Sequence, residues 1–279
     1  IGVDPSINVS KIANDAGLET IVAFFDLATA EAIKTRYQKS DMIVASSIFT
    51  HLEDPHPFIE GVKNLMTDDG KFIIEVEYIG NILKDVQFER FYLDRVFYYS
   101  LTSLQSLFEA HGMHIVDAEK IEPHGGSIRV TACRSNNGRI PSDRVKRIIE
   151  EEKTNLTRSK LEEFKQKVDN HIAAFRVKLL EYKKSNLKVA GYGAPARVAT
   201  ICNYGNIGPT LIEFIVDDSP LKQNRFSPGT HIPIVPKSFL EANKPDVLVV
   251  FAHEYFDDIK KKTNGNYRYL IPVPPREVV

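Results

Sequence analysis

The side chains best suited to acid–base chemistry follow apolar, strand-like runs in the first half of the chain. Loops at strand ends often carry binding and catalytic groups, because the rigid sheet positions them. Asp4 ends the first run, and its carboxylate could accept hydrogen bonds from ribose hydroxyls or could only cap the next helix. Ser46, Ser47 and His51 follow the third run, where the histidine is either a proton acceptor or a solvated surface residue. Residue type and spacing leave both interpretations open.

Two further stretches of this half combine several polar groups. Tyr92, Asp94 and Arg95 lie within FERFYLDRVFYYS, where they could hold a polar ligand and move a proton, although the aromatic neighbours are typical of a core. The stretch HGGSIR begins at His124 and ends at Arg129. Its two glycines allow close backbone approach, and the side chains of His124 and Arg129 could face a phosphate or a sugar. A plain hairpin turn would need neither of those side chains.

The second half contains a strand–loop–helix pattern suited to phosphate. A short strand ends in GYGAPA, and an apolar, helix-compatible run continues from Arg197 to Tyr204. The N-terminus of such a helix presents free N–H groups to a ligand above the sheet. The next strand ends at Asp217, which could bind sugar hydroxyls, and a stiff loop, PGTHIP, carries His231. GYGAPA lacks the full G-x-G-x-x-G spacing, so a tight turn without a ligand is the alternative.

The elements that must position these groups alternate between strands and helices. Short connections and near-continuous apolar strands indicate an open parallel sheet, closed at its far edge by two antiparallel strands. A charged, amphipathic helical stretch with a break near residues 154–157 follows, and strand–helix alternation returns at Leu187. We therefore predict an α/β chain with two Rossmann-like parts joined by helices. The predicted strands are Ile1–Asp4, Ile21–Phe25, Asp41–Ser46, Lys71–Val76, His114–Pro123, Ile128–Cys133, Lys188–Ala190, Ile212–Val216 and Val247–Ala252.

Composition narrows the class of protein. The 279 residues carry a net charge of −1 and are 43% hydrophobic and 26% charged, as in a soluble globular protein with room for two domains. This charge balance favours neither nucleic acid nor an anionic membrane as a partner. We expect Cys133 and Cys202 to be buried free thiols, and no C-x-x-C, H-E-x-x-H or G-x-S-x-G motif supports metal-dependent or serine hydrolysis. No run is long and apolar enough to span a bilayer, and we expect a cytoplasmic monomer.

Taken together, these stretches resemble the sugar C-methyltransferase family, enzymes that methylate a carbon of a nucleotide-linked keto-deoxysugar. The resemblance runs along nearly the whole chain and is carried by the motifs IGVDPS, ASSIFTHLEDP, HGGSIRV, GYGAPAR and PGTHIPI. The last three of these motifs, in this order, are the most specific.

The resemblance implies a truncated class I S-adenosylmethionine (SAM) methyltransferase domain with a Rossmann-like fold at residues 1–136. A helical linker at 137–186 and a second Rossmann-like domain at 187–279 would follow. The family plan also has an N-terminal zinc domain, and the first strand and glycine loop of its SAM domain would precede Ile1. Zinc is therefore expected only outside this chain, which has no metal ligands of its own in this plan. We expect the chain as given to bind SAM weakly or not at all and to be inactive.

The resemblance also assigns roles to the candidate residues. Asp4 would take the ribose of SAM, Phe25 would lie near the adenine, and Ser46 and Ser47 would line the cofactor pocket. His51, Tyr92, Asp94 and Arg95 would surround the sugar as the catalytic group. The expected substrate-binding residues, in a cleft between the domains, are Tyr78, His124, Gly125, Arg129, Tyr192, Asn203, Asp217 and His231.

The chain departs from the family at the position of the base. The family pattern is Tyr-x-Glu-His, whereas this chain has Tyr92-Leu93-Asp94-Arg95. Methylating carbon requires a base that removes a proton beside the keto group, and arginine cannot serve at ordinary pH. Either His51 or Tyr92 is then the base, or the protein methylates another position or atom, or it binds a nucleotide-sugar without turnover. An NAD-type oxidoreductase ranks last, because GYGAPA is a poor fingerprint for that cofactor.

Overall fold

The chain folds into two compact units, which a computed structural model describes over residues 1–278. The first unit contains Ile1–Ile82 and Asp94–Thr157. The second contains Leu83–Leu93 and everything described from Arg158 onward. Eleven residues between two parts of the first unit therefore pack with the second unit, an excursion that the strand–helix alternation does not reveal.

The first unit contains two separate sheets. The first strand pairs with the second in parallel, and the third pairs with the fourth in parallel. The two-stranded sheet is β1-β2, and the four-stranded sheet has the order β3-β4-β6-β5, with β6 antiparallel to both of its neighbours. The strands are β1 (Gly2–Asp4), β2 (Thr20–Val22), β3 (Ser40–Ser46), β4 (Met66–Glu77), β5 (Met113–Ile121) and β6 (Ser127–Arg134); the helices are α1 (Ile7–Asp15), α2 (Leu27–Tyr37), α3 (Pro55–Leu65), α4 (Ile79–Lys84), α5 (Leu101–Glu109) and α6 (Asp143–Asn155).

The antiparallel far edge predicted from the sequence is confirmed, but a single parallel sheet through the first strands is not. No strand pairing joins β1 or β2 to β3 among residues 1–278. Alternation of elements predicts which strands run parallel, whereas sheet continuity depends on which strand edges meet in space. One face of the four-stranded sheet packs its alternate residues into an apolar core. Its members include Ala45, Phe49, Phe72, Ile74, Val76, Leu104, Phe108, Ile128 and Val130.

Side-chain caps explain where several of these helices begin. The Ser6 hydroxyl accepts from the backbone N–H of Val9 at the start of α1, and Asp54 caps α3 in the same way. Ser100 forms a reciprocal capping box with Ser103 at the start of α5. These short-range contacts are readable from sequence because both partners lie within four positions of each other.

The second unit is a doubly wound sheet. Its order is β13-β12-β11-β7-β8-β10-β9, with five central parallel strands and an antiparallel strand at each edge. Alternate residues of β7 and β11 enter two apolar cores on opposite faces of the sheet. The strands are β7 (Val189–Tyr192), β8 (Ile215–Val216), β9 (Arg225–Phe226), β10 (Pro233–Val235), β11 (Val247–Val250), β12 (Arg268–Pro272) and β13 (Pro275–Val278); the helices are α7 (Arg158–Lys184), α8 (Arg197–Tyr204), α9 (Lys237–Ala242) and α10 (Phe256–Lys262).

The sheet order of the second unit creates a topological switch point. The chain passes from β7 through β8 to β10 on one side, then crosses to β11 on the other side of β7. In open α/β sheets, ligands bind in the crevice at the carboxyl ends of the strands where the winding reverses. The loops after β7 and β11 border that crevice here. A Cβ on Gly193 would lie 2.6 Å from the Cβ of Ala252, so these two loops are closely packed.

The helical stretch between the two predicted sheets is divided as its sequence indicates. α6 ends at Asn155 in the first unit and α7 begins at Arg158 in the second, which confirms the predicted break. Cys133 and Cys202 are buried and free, also as predicted. None of the helices within residues 1–278 combines the length and apolar character that crossing a membrane requires.

Candidate active site

A histidine with a defined tautomer lies beyond the carboxyl end of β3. The ring Nδ1 of His51 is 2.7 Å from the backbone oxygen of Asp94. A carbonyl oxygen can only accept, so Nδ1 carries the proton and Nε2 keeps its lone pair. The carboxylate of Asp94 lies near the same nitrogen, with Oδ2 3.7 Å away. The structure therefore brings His51 and Asp94 together and leaves the far nitrogen of the imidazole available to accept a proton.

Backbone contacts hold this pair in place. His51 ends a 3₁₀ turn whose first two residues, Phe49 and Thr50, are buried. The carbonyl oxygen of Thr50 accepts from the N–H groups of Val96 and Phe97, at 3.0 and 3.3 Å. The stretch after Asp94 is thus bonded to the turn that carries His51. Sequence reasoning placed His51 near this stretch only by family resemblance, because 43 residues separate His51 from Asp94 along the chain.

Arg95 occupies the position of the family's histidine and forms an ion pair. Its guanidinium contacts the carboxylate of Glu77 at the end of β4, and both side chains are largely buried, with 14% and 5% exposed. Breaking such a pair from one side is costly because the remaining charge stays out of water. Sequence reasoning missed Glu77, although the spacing Glu75-Val76-Glu77 places both acids on one face of β4.

A row of polar and charged side chains crosses the four-stranded sheet at the level of Glu75. Ser46, Glu75, Arg129 and Glu119 occupy directly opposed positions on β3, β4, β6 and β5. The Glu75 carboxylate accepts from the Ser46 hydroxyl at 3.1 Å and from Arg129 Nε at 2.6 Å, and Arg129 also lies 3.8 Å from Glu119. Arg129 was predicted to bind substrate. In the structure its charge is shared between two carboxylates of its own sheet.

The residues expected around SAM lie at the carboxyl ends of β1, β2 and β3. Asp4 Oδ1 accepts from the N–H of Ser6, so the carboxylate already supports the start of α1. Phe25 packs against Phe58, with ring centroids 4.8 Å apart, whereas the neighbouring Phe24 is 77% exposed. The exposed ring is therefore not the one that sequence reasoning chose. An adjacent pair of phenylalanines does not tell which ring faces inward.

These groups fit the adenosyl part of SAM in their chemistry. The second oxygen of Asp4 is a suitable acceptor for ribose hydroxyls, and Phe24 presents an aromatic face to solvent. Ser46 and Ser47 are exposed at the end of β3, and Ser47 adopts a left-handed conformation with φ of 58°. The N–H of Ser47 donates to the carbonyl oxygen of Glu75 at 2.9 Å.

The HGGS loop packs against a helix of its own unit. His124 is exposed in a left-handed conformation, with φ of 57°, and Gly125 follows it with φ of 74°. A Cβ on Gly126 would overlap the side-chain amide of Asn81 in α4. Tyr78 is 3% exposed, and burial together with the nearby Glu152 raises the pKa of its hydroxyl. The second glycine thus serves close packing, and Tyr78 lies in the core rather than at a surface.

In the second unit, groups at the carboxyl ends of β7 and β8 contact each other. Asp217 accepts from the N–H of Ala194 at 2.7 Å and from that of Ser219 at 2.9 Å, so it holds the GYGAPA loop. Tyr192 is buried, and its hydroxyl donates to Asp218 at 3.0 Å. Burial, with Asp218 and Asp217 adding to it, raises the pKa of Tyr192. Both predicted substrate residues therefore have structural partners.

Asn203 and His231 belong to one neighbourhood of the second unit. The amide of Asn203 donates to the carbonyl oxygens of Ala199 at 2.7 Å and Pro228 at 2.9 Å. Gly229 lies so close to this amide that a Cβ there would overlap it. His231, exposed with φ of 57°, follows two residues later. Asn203 in α8 thus fixes the PGTH loop.

The switch-point crevice of the second unit holds a charged cluster that sequence reasoning missed. Glu254, in the turn after β11, accepts from Arg90 Nη2 at 2.6 Å and from Arg197 Nη2 at 2.9 Å. The two arginine side chains are 7% and 6% exposed. Arg197 is the first residue of α8, and its Nη1 lies 3.4 Å from Nδ1 of His253. The only available signal was a His-Glu pair directly after a buried strand.

The carboxyl and imidazole groups of this cluster have shifted pKa values. Burial would raise the pKa of Glu254, but Arg197 and Arg90 outweigh it and lower the pKa below its ordinary value. Burial raises the pKa of Glu89, and Arg197 and Arg90 offset this only in part. Burial and the charge of Arg197 lower the pKa of His253, which favours its neutral form.

Within the described residues, no group of three or more histidine, cysteine, aspartate or glutamate side chains could hold a metal ion.

Tyr92 and Leu93 complete the excursion of the second unit, directly before Asp94. Tyr92 is partly buried. That the catalytic and substrate-binding candidates of the two units form one site stays a prediction.

Comparison with known proteins gives the family. Residues 122–274 match the family model described as "C-methyltransferase C-terminal domain", and residues 1–118 match a "Methyltransferase domain". The chain is also 32% identical over 285 aligned residues to the C-methyltransferase NovU of Streptomyces niveus, covering 100% of this chain and 68% of NovU. The chain belongs to the C-methyltransferase family. This result confirms the resemblance drawn from the motifs, and the chemistry that goes with the family is SAM-dependent methyl transfer to carbon.

Solved methyltransferase structures align with part of the chain. A SAM-dependent methyltransferase from Anabaena variabilis is 12% identical, covers 48% of this chain and 67% of its own, and has a TM-score of 0.37. Magnesium protoporphyrin IX methyltransferase from Synechocystis PCC 6803, solved with bound SAH, is 18% identical, covers 48% and 63%, and has a TM-score of 0.33.

Proposed function

We propose that this C-methyltransferase family member methylates a carbon of a nucleotide-linked keto-deoxysugar and that His51 is the base. The observation that carries this proposal is the bond from His51 Nδ1 to the backbone oxygen of Asp94. It fixes the tautomer and leaves Nε2 as acceptor, as a general base requires. The relative NovU is a C-methyltransferase, which supports the reaction type.

The chain's own residues would perform the proton transfer. His51 Nε2 takes a proton from the carbon beside the keto group, which leaves an enolate whose carbon becomes the nucleophile. The enolate carbon would then accept the methyl group, whose bond to the sulfonium sulfur of SAM would break to leave S-adenosylhomocysteine, and the keto group would re-form. Asp94, whose carboxylate oxygen lies 3.7 Å from Nδ1, would stabilise the imidazolium that results. Bound SAM would supply the electrophilic methyl group, with Asp4, Phe24 or Phe25, Ser46 and Ser47 as its candidate contacts.

Arg95 would act through its charge rather than through proton transfer. Its guanidinium is permanently protonated and is paired with Glu77 next to the His51–Asp94 contact. Because Glu77 balances that charge, Arg95 would hold the chain beside Asp94 in place through this ion pair rather than favour the enolate directly. Tyr92 remains the alternative base within this proposal.

Two activities can be measured separately in the longest form of the protein that its gene encodes. Transfer from SAM adds one methyl group to the nucleotide-sugar, which mass spectrometry detects. Without SAM, in heavy water, the base alone exchanges the proton beside the keto group for deuterium. We expect His51→Gln to lower both rates by about 100-fold or more, the usual worth of a general base.

The matched control is His114→Gln. His114 also bonds through one ring nitrogen to a backbone oxygen, that of Arg139 at 2.8 Å, but it lies on β5. We expect near wild-type exchange from this variant. Exchange by His51→Gln at the wild-type rate would contradict the role of His51, and absence of methylation with every keto-deoxysugar nucleotide would contradict the function.

A non-catalytic nucleotide-sugar binder is the second candidate. The observation in its favour is Arg95 at the position of the family's histidine, neutralised by a buried glutamate. This candidate predicts nucleotide-sugar binding in calorimetry with neither deuterium exchange nor methyl transfer. An oxidoreductase is disfavoured further, because Arg90 and Glu254 occupy the switch-point crevice where a dinucleotide would bind.

A further inference from the structure

The excursion of residues 83–93 is anchored in the second unit by apolar side chains. Val86 and Phe88 are 8% and 5% exposed and belong to the core that contains Phe175, Leu179 and Ile201. Burying these apolar side chains away from water favours the packed position of the segment. The Phe88 ring also lies 5.7 Å from that of Tyr204 in α8. The excursion is therefore a built part of the second unit and not a loose loop.

A polar anchor follows the apolar one within two residues. Arg90 enters the switch-point crevice and shares the carboxylate of Glu254 with Arg197, at 2.6 and 2.9 Å. The Thr200 hydroxyl donates to the carbonyl oxygen of Phe91 at 3.3 Å. Arg197 is the first residue of α8 and follows the GYGAPA loop directly. The segment, through Arg90, and the start of α8, through Arg197, therefore bond to the same glutamate.

Only two residues separate this anchor from the partner of His51. After Phe91, the chain passes through Tyr92 and the fully exposed Leu93 to Asp94, whose backbone oxygen accepts from His51. Each residue spans at most about 3.5 Å, so two residues can absorb only a small displacement of the anchor. A shift of Phe91 on its anchor would move the Asp94 carbonyl, and the carbonyl decides which imidazole nitrogen carries the proton.

We propose that Glu254 and Arg90 are positioning residues that hold the Asp94 carbonyl, and through it the proton-accepting tautomer of His51. Ligand contacts at the GYGAPA loop would then bear on the base through Arg197, Glu254 and the segment that ends at Asp94. The proposal rests on the proposed function only in taking His51 as the base.

The test is the tautomer of His51, which is measured without turnover. Protein labelled with ¹⁵N-histidine, in its longest encoded form, is examined at pH 8 by two-bond ¹H–¹⁵N correlation, and His51→Gln assigns the signal. We expect the Nδ1–H pattern in the wild type and loss of that single pattern to a tautomer mixture in Glu254→Gln. In active protein, we also expect the variant to lose about tenfold in kcat with little change in KM for the nucleotide-sugar, since small misplacements of catalytic groups are costly.

Glu277→Gln is the matched control. Glu277 is equally exposed, at 41% against 42% for Glu254, and it also binds two partners within the second unit, Lys178 at 2.8 Å and Tyr182 at 2.7 Å. Neither of these two partners belongs to the excursion. If Glu254→Gln does not fold, Thr200→Val, which removes only the hydrogen bond to Phe91, decides by the same criterion.

Each outcome supports or overturns the proposal. A tautomer mixture in Glu254→Gln with an unchanged Glu277→Gln supports it. An unchanged His51 signal in Glu254→Gln overturns it, as does the same change in both variants or a wild type without the Nδ1–H pattern. A wild type with the expected tautomer but no methyl transfer would contradict the proposed function and leave the positioning role of Glu254 and Arg90 in place.

Discussion

At the scale of single residues, two carboxylates in one charged cluster behave in opposite ways. Glu254 meets two guanidinium groups directly, at 2.6 and 2.9 Å, its side chain is 42% exposed, and its pKa is lowered. Glu89 lies near the same two arginines but is 5% exposed, burial raises its pKa, and its Oε2 has no hydrogen-bond partner among the described residues. Direct contact together with weaker burial lowers the pKa of Glu254, whereas burial prevails at Glu89.

Replacing Glu89 by glutamine should stabilise the protein at neutral pH. Because the folded state holds the Glu89 proton more tightly than the unfolded state, stability falls as pH rises from the unfolded pKa through the folded pKa. The glutamine variant lacks this loss, each pKa unit of which is worth about 1.4 kcal/mol. Urea unfolding should therefore show the variant as more stable than the wild type at pH 8 and equal to it below pH 4.

The opposite sign is expected for Glu254. Its lowered folded pKa means that its stabilising contribution is present above the unfolded pKa and is lost as pH falls through the folded pKa. Glu254→Gln should accordingly flatten the acid limb of the stability profile. Parallel acid limbs in the wild type and Glu254→Gln would argue against the contact seen with Arg90 and Arg197.

At the scale of elements, one helix is capped by a side chain from another. Glu152 in α6 is 3% exposed, and its carboxylate accepts from the N–H groups of Leu101 and Thr102, at 2.7 and 2.8 Å, and from the Thr102 hydroxyl at 2.5 Å. These are free donors of the first turn of α5, where a negative charge is also favoured by the helix dipole. The contact joins α6 to α5 within the first unit.

Removing this carboxylate should destabilise the first unit. Glu152→Ala leaves one buried donor and two partly buried donors without their acceptor, and we expect a loss of about 3 kcal/mol in the free energy of unfolding. The adjacent Glu151→Ala is the control, since Glu151 is 53% exposed and bonds only to Lys120 among the described contacts. An exposed pair is worth about 1 kcal/mol at most, so equal losses from both changes would contradict the capping role.

At the scale of the whole molecule, chain order and spatial order diverge at residues 83–93. Phe88 lies between two parts of the first unit in sequence but packs in the core of the second. A substitution of Phe88 should therefore change the stability of elements far along the chain. The stability of the second unit therefore depends on residues that precede the rest of that unit by 65 or more positions.

Phe88→Ala should lower the stability of the second unit by about 3–5 kcal/mol, the usual loss for a buried phenylalanine. Hydrogen exchange would register it as reduced protection in α7 and α8, with β4 and β6 of the first unit little changed. Phe58→Ala, at a similarly buried site of the first unit, should give the reverse pattern. Loss of protection in β4 and β6 alone on changing Phe88 would contradict the division into units.

The amino-acid sequence alone determined the class of fold, the alternation of strands and helices, the helix break after α6 and the family. These features depend on periodicity, on partners within four positions or on ordered motifs, all of which are local or linear. Only the tertiary structure decided that Glu77 pairs with Arg95, that Phe24 rather than Phe25 is exposed, and that Arg90 enters the switch-point crevice. Each of these facts joins residues far apart in the chain or chooses between neighbours of the same type, and the packing energy that makes such choices has no counterpart in residue spacing.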